Sequence, residues 1–240
     1  MNKIKTMLCA VFTLMLVSIS TIAQADSSNF AGPYIGISAS GYGIQLSGAS
    51  NAGVGEPTEE VSLGQVAPVT GFEAGYAIPL GSYLLIDVGA SLFSGEAKLE
   101  FHGDGDNTSE AAPSSADTEG TNFNSVPTDV SFKIDDLVNY YIAPTLVLSD
   151  TSSLYLKVGL TEADVTVSGD ITSPANLSGT TWALGTRTVL ESGIFIKTEA
   201  GYTDYNGISA HGQGNGVKTA NSYSAEPTIA FGTVSLGFRF

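Results

Sequence analysis

Seven charged residues share one setting, because each lies in a segment where two kinds of side chain alternate. They stand on the face that also carries the glycines: Glu73, Asp87, Lys157, Arg187, Lys197, Glu199 and Arg239. Across the strictly alternating cores of these segments, the opposite face carries no charge. If the small, charged face is enclosed, its four cations and three anions must pair, because an isolated buried charge is costly.

Two kinds of chemistry fit such a set of charges. They could line a gated or selective polar pathway, or they could form ion pairs that fill an enclosed space and hold it together. We favour the ion pairs, since small enclosed interiors are filled by side chains. Lys197 and Glu199 lie two residues apart and Arg187 lies on the neighbouring segment, so these three are the expected contacts.

The charged residues are positioned by segments with strict period-two alternation, which is typical of β-strands with two unlike faces. The last segment, from Ala230 to Phe240, is the clearest: Val234, Leu236, Phe238 and Phe240 alternate with polar or small residues. The pattern predicts eight strands, at about residues 34–46, 65–78, 84–92 (which can run on to 101), 130–148, 154–161, 182–190, 194–203 and 230–240. Two irregularities are expected. The first is a bulge at Pro144. The second is a slip of phase at Val165, which indicates that the strand either bulges there or leaves a membrane.

Short and long connections alternate between these strands. Three tight turns lie near residues 79–82, 149–152 and 191–193, and the other connections are long and polar. This asymmetry is typical of outer-membrane barrels, and each alternating core has about the 9–11 residues that a tilted strand needs to cross a membrane. We therefore predict an all-β, eight-stranded, antiparallel, up-and-down transmembrane β-barrel with four long extracellular loops and three short periplasmic turns.

A soluble lipocalin-like barrel is the structural alternative. It would have an apolar lumen and a polar outer surface. Here the charges share the glycine face and the large apolar residues occupy the other, which favours a barrel in lipid. Four aromatic residues near the ends of the lipid-facing runs are expected to form interfacial girdles: Tyr76, Tyr140, Trp182 and Tyr202.

The amino end reads as a cleaved secretory signal peptide over residues 1–25, followed by one barrel domain over residues 26–240. Lys3 and Lys5 precede an apolar stretch, and Ala23-Gln24-Ala25 fits a small-residue cleavage site. A transmembrane helix is the alternative, but the apolar run is short and contains Ser18 and Ser20. With 24 acidic residues against nine basic ones, the formal net charge of −15 argues against nucleic-acid binding.

The opening stretch P-Y-I-G-I-S-A and the closing stretch V-S-L-G-F-R-F resemble the small eight-stranded outer-membrane barrels: the OmpA transmembrane domain, OmpX, and Opa-like or porin-family proteins. The resemblance implies a monomer in the outer membrane of a Gram-negative cell, both termini in the periplasm, and a salt-bridged lumen. It also implies that Phe240, Phe238 and Leu236 act as a signal to the barrel assembly machinery. Unlike full-length OmpA, the chain is expected to carry no peptidoglycan-binding domain after Phe240.

Some barrels of this size are lipid-modifying enzymes, so the two histidines bear on catalysis. His102 and His211 lie in polar stretches without a neighbouring serine motif, and a serine–histidine pair assembled between loops is the alternative. We predict that the chain is not an enzyme and needs no cofactor.

The segment 102–129 is acidic and has no Lys or Arg. Asp104, Asp106 and Glu110 resemble a calcium loop faintly but lack its full ligand spacing, so no metal site is predicted and only weak divalent-ion binding is expected. Lipopolysaccharide and outer-membrane lipid are the expected partners. The predicted role is structural or surface-interacting, with a narrow solute channel as the alternative and a lipid-modifying enzyme third.

Overall fold

The computed structural model describes residues 26–51, 59–95, 97–101, 130–168, 176–211 and 222–240. The predicted signal peptide and the acidic segment 102–129 lie outside the described residues. Within them the strands, in chain order, are β1 Gly32–Asn51, β2 Glu59–Pro79, β3 Leu84–Ser94, β4 Ala97–Phe101, β5 Val130–Val147, β6 Ser152–Ser168, β7 Leu177–Val189, β8 Ile194–Tyr205, β9 Ile208–His211 and β10 Ser222–Arg239. No helix in these ranges is long and apolar enough to cross a membrane.

The strands close into an antiparallel barrel. Neighbours along the chain pair with each other, and β1 pairs with β10 from Tyr34 opposite Arg239 to Asn51 opposite Ser222. β4 continues the path of β3 along β5, and β9 continues that of β8 along β10, so the wall has eight strands. The predicted eight-stranded antiparallel barrel is confirmed.

Three short turns join β2 to β3, β5 to β6 and β7 to β8 at one end of the barrel. The last of them is a 3₁₀ turn, Glu191–Gly193, in which Ser192 and Gly193 both have a φ of 83°. Gly193 suits this place because it adopts positive φ without strain, and a Cβ there would press on the backbone oxygen of Arg239. The chain therefore reverses within a few residues at this end.

The predicted bulge at Pro144 and the predicted slip of phase at Val165 are wrong. Pro144 lies opposite Ile86 in an unshifted β3–β5 ladder, and the β5–β6 ladder resumes beyond it in the same register. The register shift in β5 lies instead between Asp135 and Val138, where Asp136 has a φ of 47°. Val165 faces the interior in phase with the rest of β6. The sequence pattern only resembles a slip, because the inward face changes there from polar to apolar residues that join a buried cluster.

Inward-facing side chains form apolar layers at both ends of the interior. The layer near the short turns, here called the inner apolar layer, consists of Phe30, Tyr34, Ala77, Leu85, Val147, Val189 and Phe195. The outer apolar layer, toward the other end, consists of Tyr42, Ile44, Ala67, Leu137, Ala163, Leu177, Tyr205 and Ile229. The expectation of a lumen lined by charge and glycine missed both layers.

Large inward aromatic rings lie over glycines of the adjacent strand. Tyr34 is the ladder partner of Gly75, and Tyr155 is the partner of Gly185. The same arrangement recurs in the pairs Tyr141 with Gly89, Tyr205 with Gly179 and Phe195 with Gly237. A ring folded over a glycine fills space that a side chain on the neighbouring strand would otherwise occupy, so the narrow interior can hold several rings.

A short segment before β1 closes the barrel at its short-turn end. Ser27–Asn29 forms a 3₁₀ turn capped by the Asp26 carboxylate, which accepts a hydrogen bond from the Ser28 amide and thereby lowers the pKa of Asp26. Ser27 donates its backbone N–H to Ser82 and its hydroxyl to the Gly81 carbonyl. These contacts hold the Phe30 ring fully buried in the inner apolar layer.

Candidate functional site

Three buried ion pairs lie inside the barrel between the two apolar layers. Arg187 Nη2 lies 2.6 Å from Asp87 Oδ1, and Lys197 Nζ lies 2.7 Å from Glu73 Oε2. Lys157 Nζ lies 2.7 Å from Glu199 Oε2. All six side chains are at most 6% exposed, so each charge depends on its partner rather than on water.

The ion pairs join strands that are not neighbours in the wall. Arg187 on β7 reaches Asp87 on β3, and Lys197 on β8 reaches Glu73 on β2, so both pairs cross the lumen. The predicted grouping of Arg187, Lys197 and Glu199 is wrong as a set of contacts. Arg187 and Lys197 are direct partners in the β7–β8 ladder, and two like charges side by side lower their repulsion by turning to separate carboxylates.

Arg239 lies apart from these pairs, contrary to the expectation that it belongs to the lumen network. Its Nη1 donates to the backbone oxygens of Ser28 and Ala31, each at 3.2 Å. The guanidinium therefore ties the end of β10 to the segment that closes the short-turn end. Three cations are thus matched to three anions, and the fourth is held by carbonyl groups.

Tyrosine rings surround the lumen cations. Lys157 Nζ lies 4.5 Å from the ring centroid of Tyr141, and the Arg187 guanidinium carbon lies 4.7 Å from that of Tyr34. Lys197 Nζ has three tyrosine centroids within 5.8 Å, those of Tyr34, Tyr141 and Tyr155. Rings at this distance attract a desolvated cation through their electron-rich faces.

The tyrosine hydroxyls also take part in the hydrogen bonding of the ion-pair layer. Tyr34 and Tyr141 share a 2.8 Å hydrogen bond, and Tyr155 donates to Glu199 Oε2 at 3.0 Å. Sequence analysis did not single out these tyrosines. The signal that could have identified them is their place on the strand face that carries small, polar or charged residues: Tyr34 shares its face with Gly36, Tyr141 with Asn139 and Tyr155 with Lys157.

A row of hydroxyl groups lies beyond the ion pairs, toward the outer apolar layer. Asn139 Nδ2 donates to Thr161 Oγ1 at 2.7 Å, Thr161 bonds Thr181 at 2.5 Å, and Thr181 bonds Thr203 at 2.7 Å. These residues lie on β5, β6, β7 and β8, so the row follows half of the wall. Each side chain of the row thus has a hydrogen-bond partner in a site with little access to water.

The interior therefore consists of an inner apolar layer, an ion-pair layer, a hydroxyl row and an outer apolar layer. Thr145 donates to Asp87 Oδ2 at 2.6 Å, so that carboxylate has both oxygens occupied. Glu73 Oε1 and the Arg187 Nε are buried without a hydrogen-bond partner among the described residues. The ion pairs of this interior join strands that lie on different sides of the lumen.

Comparison with known families identifies the barrel. Residues 12–231 match the outer membrane protein beta-barrel domain. The chain belongs to this family. Its members are proteins of the outer membrane, and the resemblance to small outer-membrane barrels is confirmed. No curated protein sequence matches the chain.

Solved structures of outer-membrane barrels are similar to the chain in fold. The outer membrane protein OprG from Pseudomonas aeruginosa has a TM-score of 0.54 and 11% identity, covering 88% of this chain and 97% of its own. Ail, the attachment invasion locus protein of Yersinia pestis, was solved in complex with the heparin analogue sucrose octasulfate; it has a TM-score of 0.40 and 13% identity, covering 85% of this chain and 99% of its own. The outer membrane protease OmpT from Escherichia coli has a TM-score of 0.44 and 10% identity, with 87% and 97% covered.

The outer surface of this outer-membrane barrel is apolar across its strands. Tyr76 and Tyr140 are at least half exposed on that surface, and Trp182 and Tyr202 are neighbours across the β7–β8 ladder on the same face. Leu236 and Phe238 face outward at the end of β10, Phe240 follows the strand on the same side, and the two phenylalanine rings stack edge to face at 5.2 Å. These residues would lie against lipid in a membrane.

The residues considered for catalysis or metal binding are not assembled in the part of the barrel that is described. His102, Asp104, Asp106 and Glu110 lie outside the described residues, and His211 is the last residue of β9. Among described residues, no group of three or more His, Cys, Asp or Glu could hold a metal ion.

Proposed function

We propose that the chain is a non-conducting, non-enzymatic outer-membrane barrel whose lumen ion pairs act as a structural brace. The observation that carries this proposal is the enclosure of three ion pairs between two apolar layers. A hydrated ion that crossed the barrel would have to displace the rings of both layers as well as the paired charges. Such a path is unfavourable because it removes water from the ion without supplying enough ligands.

A planar-bilayer recording tests the closed lumen against the narrow channel. We expect the refolded wild-type protein to give no steady conductance, because two apolar layers block the lumen in series. Phe30→Ala opens only the inner layer, so that variant is expected to stay silent as well. Steady conductance of the wild type, with unchanged stability when Lys157 or Glu199 is replaced by alanine, would favour the channel.

We also propose that the long connections face the cell exterior and that their acids bind divalent ions that bridge to lipopolysaccharide phosphates. Segment 102–129 contains no Lys or Arg, so its acidic residues repel one another until an ion binds. Hydration of the loops without any bridging is the alternative. Bridging of this kind would give the protein a structural and surface-interacting role.

Deletion of residues 104–126 tests the bridging role. We expect the deleted form to lose part of the stabilisation that Mg²⁺ gives the wild type in lipopolysaccharide membranes. A full-length variant with every Asp and Glu of 104–126 changed to Asn or Gln controls for loop length, and should behave like the deletion. Equal Mg²⁺ dependence in all three proteins would leave the loop with no bridging role.

We further propose the topology and assembly route that the family resemblance implies. After removal of residues 1–25, the short turns and both termini would lie in the periplasm, and the monomeric barrel would be inserted by the barrel assembly machinery. Phe240, Phe238 and Leu236 would be the residues it reads. Their outward position on the last strand supports this proposal, because it leaves their side chains accessible.

A further inference from the structure

The barrel wall has a discontinuity between β2 and the β3–β4 strand. The β2–β3 ladder ends where Thr70 pairs with Ser94, whereas β2 continues to Glu59 in its ladder with β1. From Glu59 to Val69, β2 therefore has no ladder partner on its β3 side among the described strands. Pro68 lies in this stretch, and proline, which lacks an N–H, is tolerated at such an edge.

The next strand around the wall is irregular at the same place. The β3–β5 ladder ends with Phe93 opposite Leu137, and the β4–β5 ladder begins with Ala97 opposite Ile134, one residue out of register. Asp136 takes up the difference with its φ of 47°, a conformation that aspartate tolerates better than most residues. Two ladders thus end side by side, and the wall is irregular there.

A cavity of about 380 Å³ lies where these ladders end, and the last residue pairs of the β2–β3 and β3–β5 ladders line it. Its outer part is lined by outward-facing side chains that include Phe72, Leu92 and Val138. Phe93 and Leu137 also belong to its lining, and Leu137 is part of the outer apolar layer on the other side of the wall. Thr70, Ser94 and Asp136 supply the polar groups of its lining, so an apolar interior has a polar rim.

The cavity is continuous with the lipid-facing surface. The outward face of β2 stays apolar past the cavity, since Val66 is 77% exposed and lies beyond Thr70. Leu92 is 52% exposed on the same outer surface. In a membrane the mouth of the cavity would therefore meet hydrocarbon, and the molecule always next to it is the acyl chain of a lipid.

We propose that this cavity, here called the wall cavity, is a binding site for one acyl chain of a membrane lipid. The chain lies on the outer side of the wall at the end of the β2–β3 ladder and contacts Phe72, Leu92 and Val138, while the polar part of the lipid stays near Thr70, Ser94 and Asp136. The volume falls within the range of small-molecule pockets, and the lining has the mixture of apolar walls and few polar groups that such pockets share.

Filling of space provides the driving force for this binding. A lipid chain that moves from hydrocarbon into the cavity leaves no water behind, so the hydrophobic effect contributes little. An empty apolar cavity, however, forfeits the dispersion contacts of its lining. An enrichment of about tenfold over the rest of the wall corresponds to about 1.4 kcal/mol of recovered contacts.

Photocrosslinking in lipid nanodiscs tests the proposal. The probe is a phosphatidylethanolamine with a diazirine in one acyl chain, and the crosslinks are mapped by peptide mass spectrometry. We expect labelling at residues 70–72, 92–94 and 136–138 to exceed that of other outward-facing residues by about tenfold. Uniform labelling around the barrel would mean ordinary surrounding lipid and would overturn the proposal.

Two matched variants distinguish lipid bound in the wall cavity from lipid that merely surrounds the barrel. Val138→Trp fills the wall cavity and is expected to bring its labelling down to that of the surrounding wall. Val158→Trp places the same bulk on the outward face of β6, away from the cavity, and should leave the labelling unchanged. Undiminished labelling in a folded Val138→Trp barrel would overturn the proposal, and the wild-type map decides the matter if that variant does not fold.

Discussion

Replacing Arg187 by alanine is expected to lower the free energy of unfolding by about 3–5 kcal/mol, because it leaves the Asp87 carboxylate charged and buried. Asp87 would keep a single side-chain donor, the Thr145 hydroxyl, in place of a guanidinium at 2.6 Å. The guanidinium also covers the rings of Tyr34 and Phe195, so its loss removes packing as well as charge. Denaturant titration of the refolded barrel, followed by its heat-modifiable migration, measures the change.

A double-mutant cycle separates the free energy of the Arg187–Asp87 ion pair from the cost of removing side-chain volume. Asp87→Ala should be similarly costly, and the combination of both changes should cost much less than their sum, since no unpaired charge remains. Arg239→Ala is the matched control, because that arginine is partly exposed and binds only carbonyl groups; about 1–2 kcal/mol is expected there. A cost for Arg187→Ala no greater than this control would argue against the brace.

Gly185→Ala is expected to destabilise the barrel by about 1–3 kcal/mol through overpacking. A Cβ at this position would overlap the ring and hydroxyl of Tyr155, its ladder partner. The displaced ring would also lose its hydrogen bond to Glu199, which is the partner of Lys157. The change therefore acts on the ion-pair layer without altering any charge, and unfolding of the refolded protein in denaturant measures it.

Gly232→Ala provides the matched control for this substitution. Gly232 lies in β10, and a Cβ there would meet nothing within 4 Å. Its effect should stay within about 0.5 kcal/mol. Tyr155→Leu combined with Gly185→Ala should recover part of the loss, since the smaller side chain leaves room for the methyl group. Equal stability of the two alanine variants would mean that the wall relaxes freely around Tyr155.

Strand number and strand faces could be predicted from the sequence because both depend on local alternation. Glu73, Lys157 and Arg187 each stand between residues of the opposite face, and a period of two assigns the face without knowledge of any partner. The outward positions of Leu236 and Phe238 follow from the same rule. The order of the strands then follows because neighbours along an up-and-down chain pair with each other.

The ion pairs themselves could not be predicted in this way. Which inward residues meet across a barrel depends on strand tilt and stagger, which are properties of the closed wall. Lys197 and Glu199 are near in sequence, yet their partners lie on β2 and β6. Arg239 stands at the strand end, where the segment before β1 offers it carbonyl groups. The wall cavity escaped prediction for the same reason, since Pro68 is compatible with a missing ladder partner but does not show where the neighbouring ladder ends.

The pairing of β1 with β10 has a consequence for the order in which the barrel forms. The hydroxyls of Ser40 and Thr233 meet across a sequence separation of 193 residues, whereas the other wall pairings join strands adjacent along the chain. Local hairpins can form early, but this seam must wait until the whole chain is present. Before it closes, the intermediate is an open sheet with two long bare edges, each able to pair with another molecule. Folding and aggregation therefore compete at one step, and whatever shields these two edges decides the yield of native protein.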